Sequence, residues 1–148
     1  MNSLYTWLNF LHLAGLATFL FAHGVSGAAS LLLRAPVSSQ TRQLLGLSRK
    51  ASMVADPALL LVILTGVWMG FSGGWWGHGW IWASIVVLVL VLAAMGFIAR
   101  PYYLARAAAQ QSDEVLAQHL ARTMPVPAIW IGGVGLVLLI GLMVFRPF

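Results

Sequence analysis

Four apolar runs, each long enough to cross a bilayer, alternate along the chain with short polar or glycine-rich stretches. The first, Leu4 to Leu33, contains no Lys, Arg, Asp or Glu and would be roughly 45 Å long as a helix, longer than a bilayer's hydrocarbon core. No basic residue precedes Arg34, and the run is about twice the length of a signal peptide's apolar segment. It is therefore expected to remain in the mature protein as a membrane helix. The second run, Ala51 to Phe71, is entered through the polar stretch Ser38, Thr41, Arg42, Arg49 and Lys50. Ser38 is the expected N-cap of a helix that begins in water. The third run is Trp80 to Ala99, stopped by Arg100 and Pro101, and the fourth is Ala128 to Phe145, introduced by Pro125 and Pro127.

The connections differ in kind. Between the second and third runs, Ser72 to Trp80 is rich in glycine and tryptophan, which breaks the helix and suits a membrane interface. Between the third and fourth, Leu104 to Met124 places Leu104, Val115, Leu116 and Leu120 among Arg106, Asp113, Glu114, His119 and Arg122. That spacing predicts an amphipathic helix lying on the membrane surface.

Composition agrees with a membrane protein. The 148 residues are 61% hydrophobic and 7% charged, whereas soluble domains carry about a quarter charged residues. The formal charge of +5 is explained by position. Arg34, Arg42, Arg49, Lys50, Arg100, Arg106 and Arg122 fall in the first and third connections, and Arg146 alone on the other side. This is the positive-inside pattern, and it leaves no reason to invoke nucleic acid. The expected architecture is a single domain over residues 1–148: an all-α four-helix membrane bundle with both termini outside and the amphipathic helix in the cytoplasm. The expected location is multi-pass in the inner (cytoplasmic) membrane. With no cysteine, disulfides, thiolate metal sites and covalently attached c-type haem are excluded.

Ionisable groups inside the bilayer are costly, and each marks a candidate site. Three qualify: His12, His23 and Asp56. The histidines are eleven residues apart, which on an ideal helix puts them about 20° from a common face and roughly 16 Å apart along the axis. Alternating helix directions place Met69, Met143 and His78 at the level of His12, and Met53, Met95 and Asp56 at that of His23. Two stacked polar sites are thus expected, with His12, His23, Met69, Met95 and Met143 as candidate ligands. Each histidine also has a plain packing role open to it, as a hydrogen-bond partner of Ser26, Ser84 or Thr65. Asp56, before Pro57, has either solvation or pairing with Arg49 or Ser52 open to it, or a proton-relay role. Small residues along the first and fourth helices, among them Gly15, Gly24, Gly132 and Gly135, suit close helix packing or a slot for a flat porphyrin.

The opening Leu4 to Gly15, with Leu11-His12-Leu13-Ala14-Gly15 at its end, resembles the first helix of small bacterial membrane proteins that include HemJ-type protoporphyrinogen oxidases and CopD-like copper-resistance proteins. It is more similar still to an uncharacterised group of about this length with four helices. In that group a Thr-Gly-x-Trp like Thr65-Gly66-Val67-Trp68 ends the second helix. The HemJ resemblance implies b-type haem held by His12 and a lysine in the third helix. The resemblance covers the layout of the whole chain, but the third run has no lysine, the only one in the chain being Lys50, so it implies haem binding and not porphyrinogen oxidation. The CopD resemblance implies copper, with His and Met as ligands.

Three functions follow as expectations. One is electron transfer by noncovalent b-type haem on His12, and on His23, with Met69, Met95 or Met143 as second ligand or a partner's histidine in an oligomer. Another is a structural or accessory subunit of a larger membrane complex without its own cofactor. The third is copper transport, with Asp56 as an inner gate. No hydrolase or transferase motif is present.

Overall fold

The computed structural model describes residues 3–33 and 37–148, all helix and connecting turns. Arg34, counted above in the first connection, lies outside them. In chain order the helices are α1 (Ser3–Leu32), α2 (Ser39–Ser72), α3 (Gly79–Ile98), α4 (Arg100–Ala107), α5 (Asp113–Ala121) and α6 (Pro125–Phe145), with a 3-10 turn over Trp75–Gly77. Four of them, α1, α2, α3 and α6, are long and apolar enough to cross a membrane.

α2 starts where local chemistry directs it. Ser38 is the N-cap: its side chain accepts from the backbone N–H of Thr41, while Thr41 Oγ1 accepts from the backbone N–H of Ser38. These reciprocal bonds satisfy two donors that the first turn leaves unpaired. The helix then runs unbroken through Pro57, whose ring cannot supply the hydrogen bond to the preceding turn.

The surface helix expected over Leu104 to Met124 is instead two short helices. α4 follows α3 almost directly, with Pro101 in its first turn, where a missing N–H is harmless. It ends at Ala107, and α5 begins after Ser112 with Asp113 and Glu114 in its first turn, where carboxylates are favoured by the helix dipole. Between them Ala108 is buried and Ala109 packs against apolar neighbours, while the polar Gln110, Gln111 and Ser112 make the turn that separates the two helices.

The helices pack as two antiparallel pairs. α1 lies along α2, with Ser26 near the end of α1 bonded to Ser48 near the start of α2. α3 lies along α6, where Met95 borders Gly132 and Val91 closes over Gly135. Large side chains such as Phe21, Trp68, Phe97, Val137 and Phe145 point outward. That is the arrangement lipid favours: acyl chains solvate large apolar groups, and small residues let backbones approach.

Among the described residues, a cluster of buried apolar side chains forms at one end, from Leu33, Leu45, Tyr102, Ala105, Leu116 and Leu120. This is the end carrying Arg42, Arg49 and Arg106, where water is available to drive burial. The opposite end is aromatic. Tyr5 meets Trp75 edge to face at 5.8 Å, and the Arg146 guanidinium sits 4.7 Å from the Trp75 ring centre and 5.5 Å from that of Trp80. Arg146 itself caps α6 in a left-handed conformation, φ 46°. That turn brings Phe148 back to Gly79, where its carbonyl accepts from the Trp80 N–H at 3.1 Å.

Candidate functional site at the α1–α2 interface

The buried positions of α1 are Leu8, His12, Gly15, Ala22, Ser26 and Ala29. Leu8, Gly15, Ala22 and Ala29 recur every seven residues, and His12 and Ser26 are fourteen apart. A seven-residue seam belongs to helices that wrap with 3.5 residues per turn, whereas an eleven-residue spacing drifts off such a seam. His12 therefore lies in the interface with 7% of its surface exposed, while His23, the neighbour of Ala22, turns outward. The His23 ring stacks on Phe19 at 5.1 Å between centres.

Three residues of α2 receive His12. Its Nδ1 lies 3.0 Å from the Val62 carbonyl oxygen and 3.1 Å from Thr65 Oγ1. A carbonyl only accepts, so Nδ1 carries the proton and donates. Thr65 gives its own hydroxyl proton to the Leu61 carbonyl at 2.6 Å, leaving its oxygen free to accept from the imidazole. Gly66 makes the room: a Cβ there would sit 3.2 Å from His12 Cε1. One turn along α1, Gly15 lets Val62 and Ala58 close on the backbone. The two short motifs quoted from α1 and α2 are thus two halves of one contact.

With the proton on Nδ1, the neutral ring has its remaining lone pair on Nε2, and no hydrogen bond to that atom occurs among the described residues. A metal-ligating histidine is commonly held in this way, one nitrogen donating to a carbonyl while the other faces the metal. Further along α1, an apolar slot of about 330 Å³ opens between the helices, bounded by Ala14, Gly15, Thr18, Pro57, Ala58 and Leu61.

The methionines have different surroundings. Met69 is buried on α2, one turn beyond Thr65 on the same face. Met95 borders Gly132 between α3 and α6, and Met143 is exposed on α6. His78 is exposed, and its Nδ1 donates to the Trp75 carbonyl at 3.3 Å. Asp56 is exposed on α2, and Ser52, one of the partners expected for it, bonds Arg106 instead. No group of three His, Cys, Asp or Glu side chains converges among the described residues.

Arg106, named from the sequence only among the polar residues of the surface segment, has a structural role that the sequence did not single out. Its guanidinium reaches between α1 and α2, donating to Ser26 and Ser48 at 2.7 Å each and to Ser52 at 2.8 Å. It also lies 4.6 Å from the Tyr102 ring centre and 5.1 Å from that of Tyr103. Its Nε is buried without a partner, which costs about 1–3 kcal/mol for a donor removed from water. The signal available in the sequence was Ser26 and Ser48, small hydroxyl residues on the buried seams of two apolar helices.

Four spans, segregated charge and an aromatic belt define an integral membrane protein. A family model described as a predicted integral membrane protein, DUF2269, matches residues 6–147, and the chain belongs to that family. No curated protein and no solved structure matches it.

Proposed function

We propose that this protein binds b-type haem through His12 Nε2 and serves electron transfer in the cytoplasmic membrane. The observation that carries the reading is the fixed tautomer: Val62 and Thr65 hold the Nδ1 proton and leave Nε2 as a lone-pair donor inside a membrane helix pair. A porphyrin supplies four of its iron's donors itself, so one or two axial side chains suffice. Met69, a turn outward on the facing helix, is the proposed second ligand within the chain. When bound, the haem supplies a one-electron couple. The chain's own part is to orient the imidazole and to surround it with apolar helix. Membership of a wider group with HemJ-type and CopD-like proteins is part of the same proposal and rests on Leu11-His12-Leu13-Ala14-Gly15.

The test is an optical one. The full chain, expressed in haem-replete cells and purified in mild detergent, is expected to show a Soret band and sharp reduced-minus-oxidised α and β bands. A colourless preparation overturns the proposal: stoichiometric copper in it would assign the site to copper, and no metal would leave His12 a packing residue, as in an accessory subunit.

A further inference from the structure

A second feature lies about 20 Å further along α1 from His12, counting fourteen residues at 1.5 Å each. Here a cleft of about 340 Å³ separates the start of α2 from the end of α4, with Arg42, Arg49 and Arg106 all on its wall. Only one of the three has a carboxylate partner: Arg42 meets Asp113 at 2.6 Å, the one ion pair among the described residues. Arg42 also donates to the carbonyls of Ala109 and Gln111. Arg106 is bonded only to serine hydroxyls, which carry no charge. Arg49 is exposed and makes no hydrogen bond among the described residues. Three arginines thus line one concavity with a single carboxylate at its edge; the terminal donors of Arg42 and Arg106 are taken up by protein partners, and Arg49 is the one left to meet an anion, which would relieve their mutual repulsion.

The level of the cleft says which anion. α2 has 34 residues, about 51 Å of helix, against roughly 30 Å of hydrocarbon. With Phe71 at the aromatic end, the apolar part of α2 extends back to Ala51, so Arg49 lies in the headgroup layer, about 3 Å beyond the boundary, and Arg42 at its aqueous edge, about 13 Å beyond. Arg106 reaches Ser52, just inside the boundary. Phosphate is the anion concentrated in that layer, and arginine forks match its oxygens.

We propose that this cleft binds the headgroup phosphate of an anionic phospholipid, with Arg49 as the donor to the phosphate, Arg42 held at its edge by Asp113, and Arg106 adding positive charge from its serine pocket behind the wall. The site is independent of the haem reading, since it uses none of the residues around His12.

The experiment follows thermal unfolding of the full-length detergent-solubilised protein, by tryptophan fluorescence, as phosphatidylglycerol, phosphatidylcholine or inorganic phosphate is added at constant ionic strength. Phosphatidylglycerol is expected to stabilise saturably and the other two are not. Arg49→Gln, a change at an exposed side chain, is expected to shift half-saturation about fivefold, the worth of one basic residue near an anionic surface. Arg122→Gln, at the same end but outside the cleft, is expected to leave half-saturation within twofold of the unaltered protein. Equal stabilisation by phosphatidylcholine, an unaltered Arg49→Gln titration or an equal loss in Arg122→Gln overturns the site. Saturable stabilisation by inorganic phosphate alone overturns the lipid as its source.

Discussion

His12 and Gly66 are complementary: the imidazole of one helix occupies the volume that a side chain would fill on the other. Their substitution separates space from hydrogen bonding. Gly66→Ala puts a methyl 3.2 Å from His12 Cε1, so the ring must shift by a few tenths of an ångström while Nδ1 is tethered to Val62. If the proposed haem is bound there, this change is expected to lower its occupancy and broaden the Soret band. Thr65→Val keeps the Val62 bond and removes only the hydroxyl, and interhelical hydrogen bonds in membranes average about 0.6 kcal/mol. A loss of that order in detergent unfolding is expected, and one of more than about 2 kcal/mol would mean that Thr65 does more than accept from the imidazole. Leu116, with no exposed surface, lies in the water-facing cluster, where burial is driven by the hydrophobic effect. Leu116→Ala is expected to cost about 2–5 kcal/mol, measurable in the same unfolding experiment.

Helix pairing in this protein depends on small residues, and the glycines of α6 test it. Gly135→Ala would drive a methyl into Val91 of α3, whereas the Gly133 position has open space around it. The first change is expected to lower the unfolding temperature by several degrees and the second to leave it within about one degree. Similar effects at both positions would contradict the α3–α6 contact described. The helices were legible in the sequence because their signals are local: twenty or more apolar residues, Ser38 before Thr41, prolines at Pro101 and Pro125. What joins them was less so. An ideal helix aligns His12 with His23, but packing follows the seven-residue seam through Leu8, Gly15, Ala22 and Ala29, and so only His12 is enclosed. Arg106 escaped for a related reason. A charge in a surface segment reads as solvated until the hydroxyls of Ser26, Ser48 and Ser52, from two other helices, are known to converge on it. Thr65 was one of several partners considered for the histidines, and no local pattern singled it out.

At the scale of the molecule, the bundle has a basic end with the buried apolar cluster and an aromatic end with both described chain termini. Under the positive-inside rule the basic end is expected to face the cytoplasm. Because the chain has no cysteine, single cysteines report this cleanly. Gly77→Cys is expected to react with an impermeant maleimide added outside spheroplasts, and Ser112→Cys only after lysis; the reverse pattern would invert the topology. Within that frame the cofactor proposal places haem nearer the aromatic end, at the level of His12. The most direct test is haem content per chain, by pyridine haemochrome assay, in the unaltered protein, His12→Ala and His23→Ala, each normalised to folded protein. The account predicts about one haem per chain in the first and the last and a loss of at least tenfold in His12→Ala. Haem retained by His12→Ala, or lost from His23→Ala alone, would contradict it.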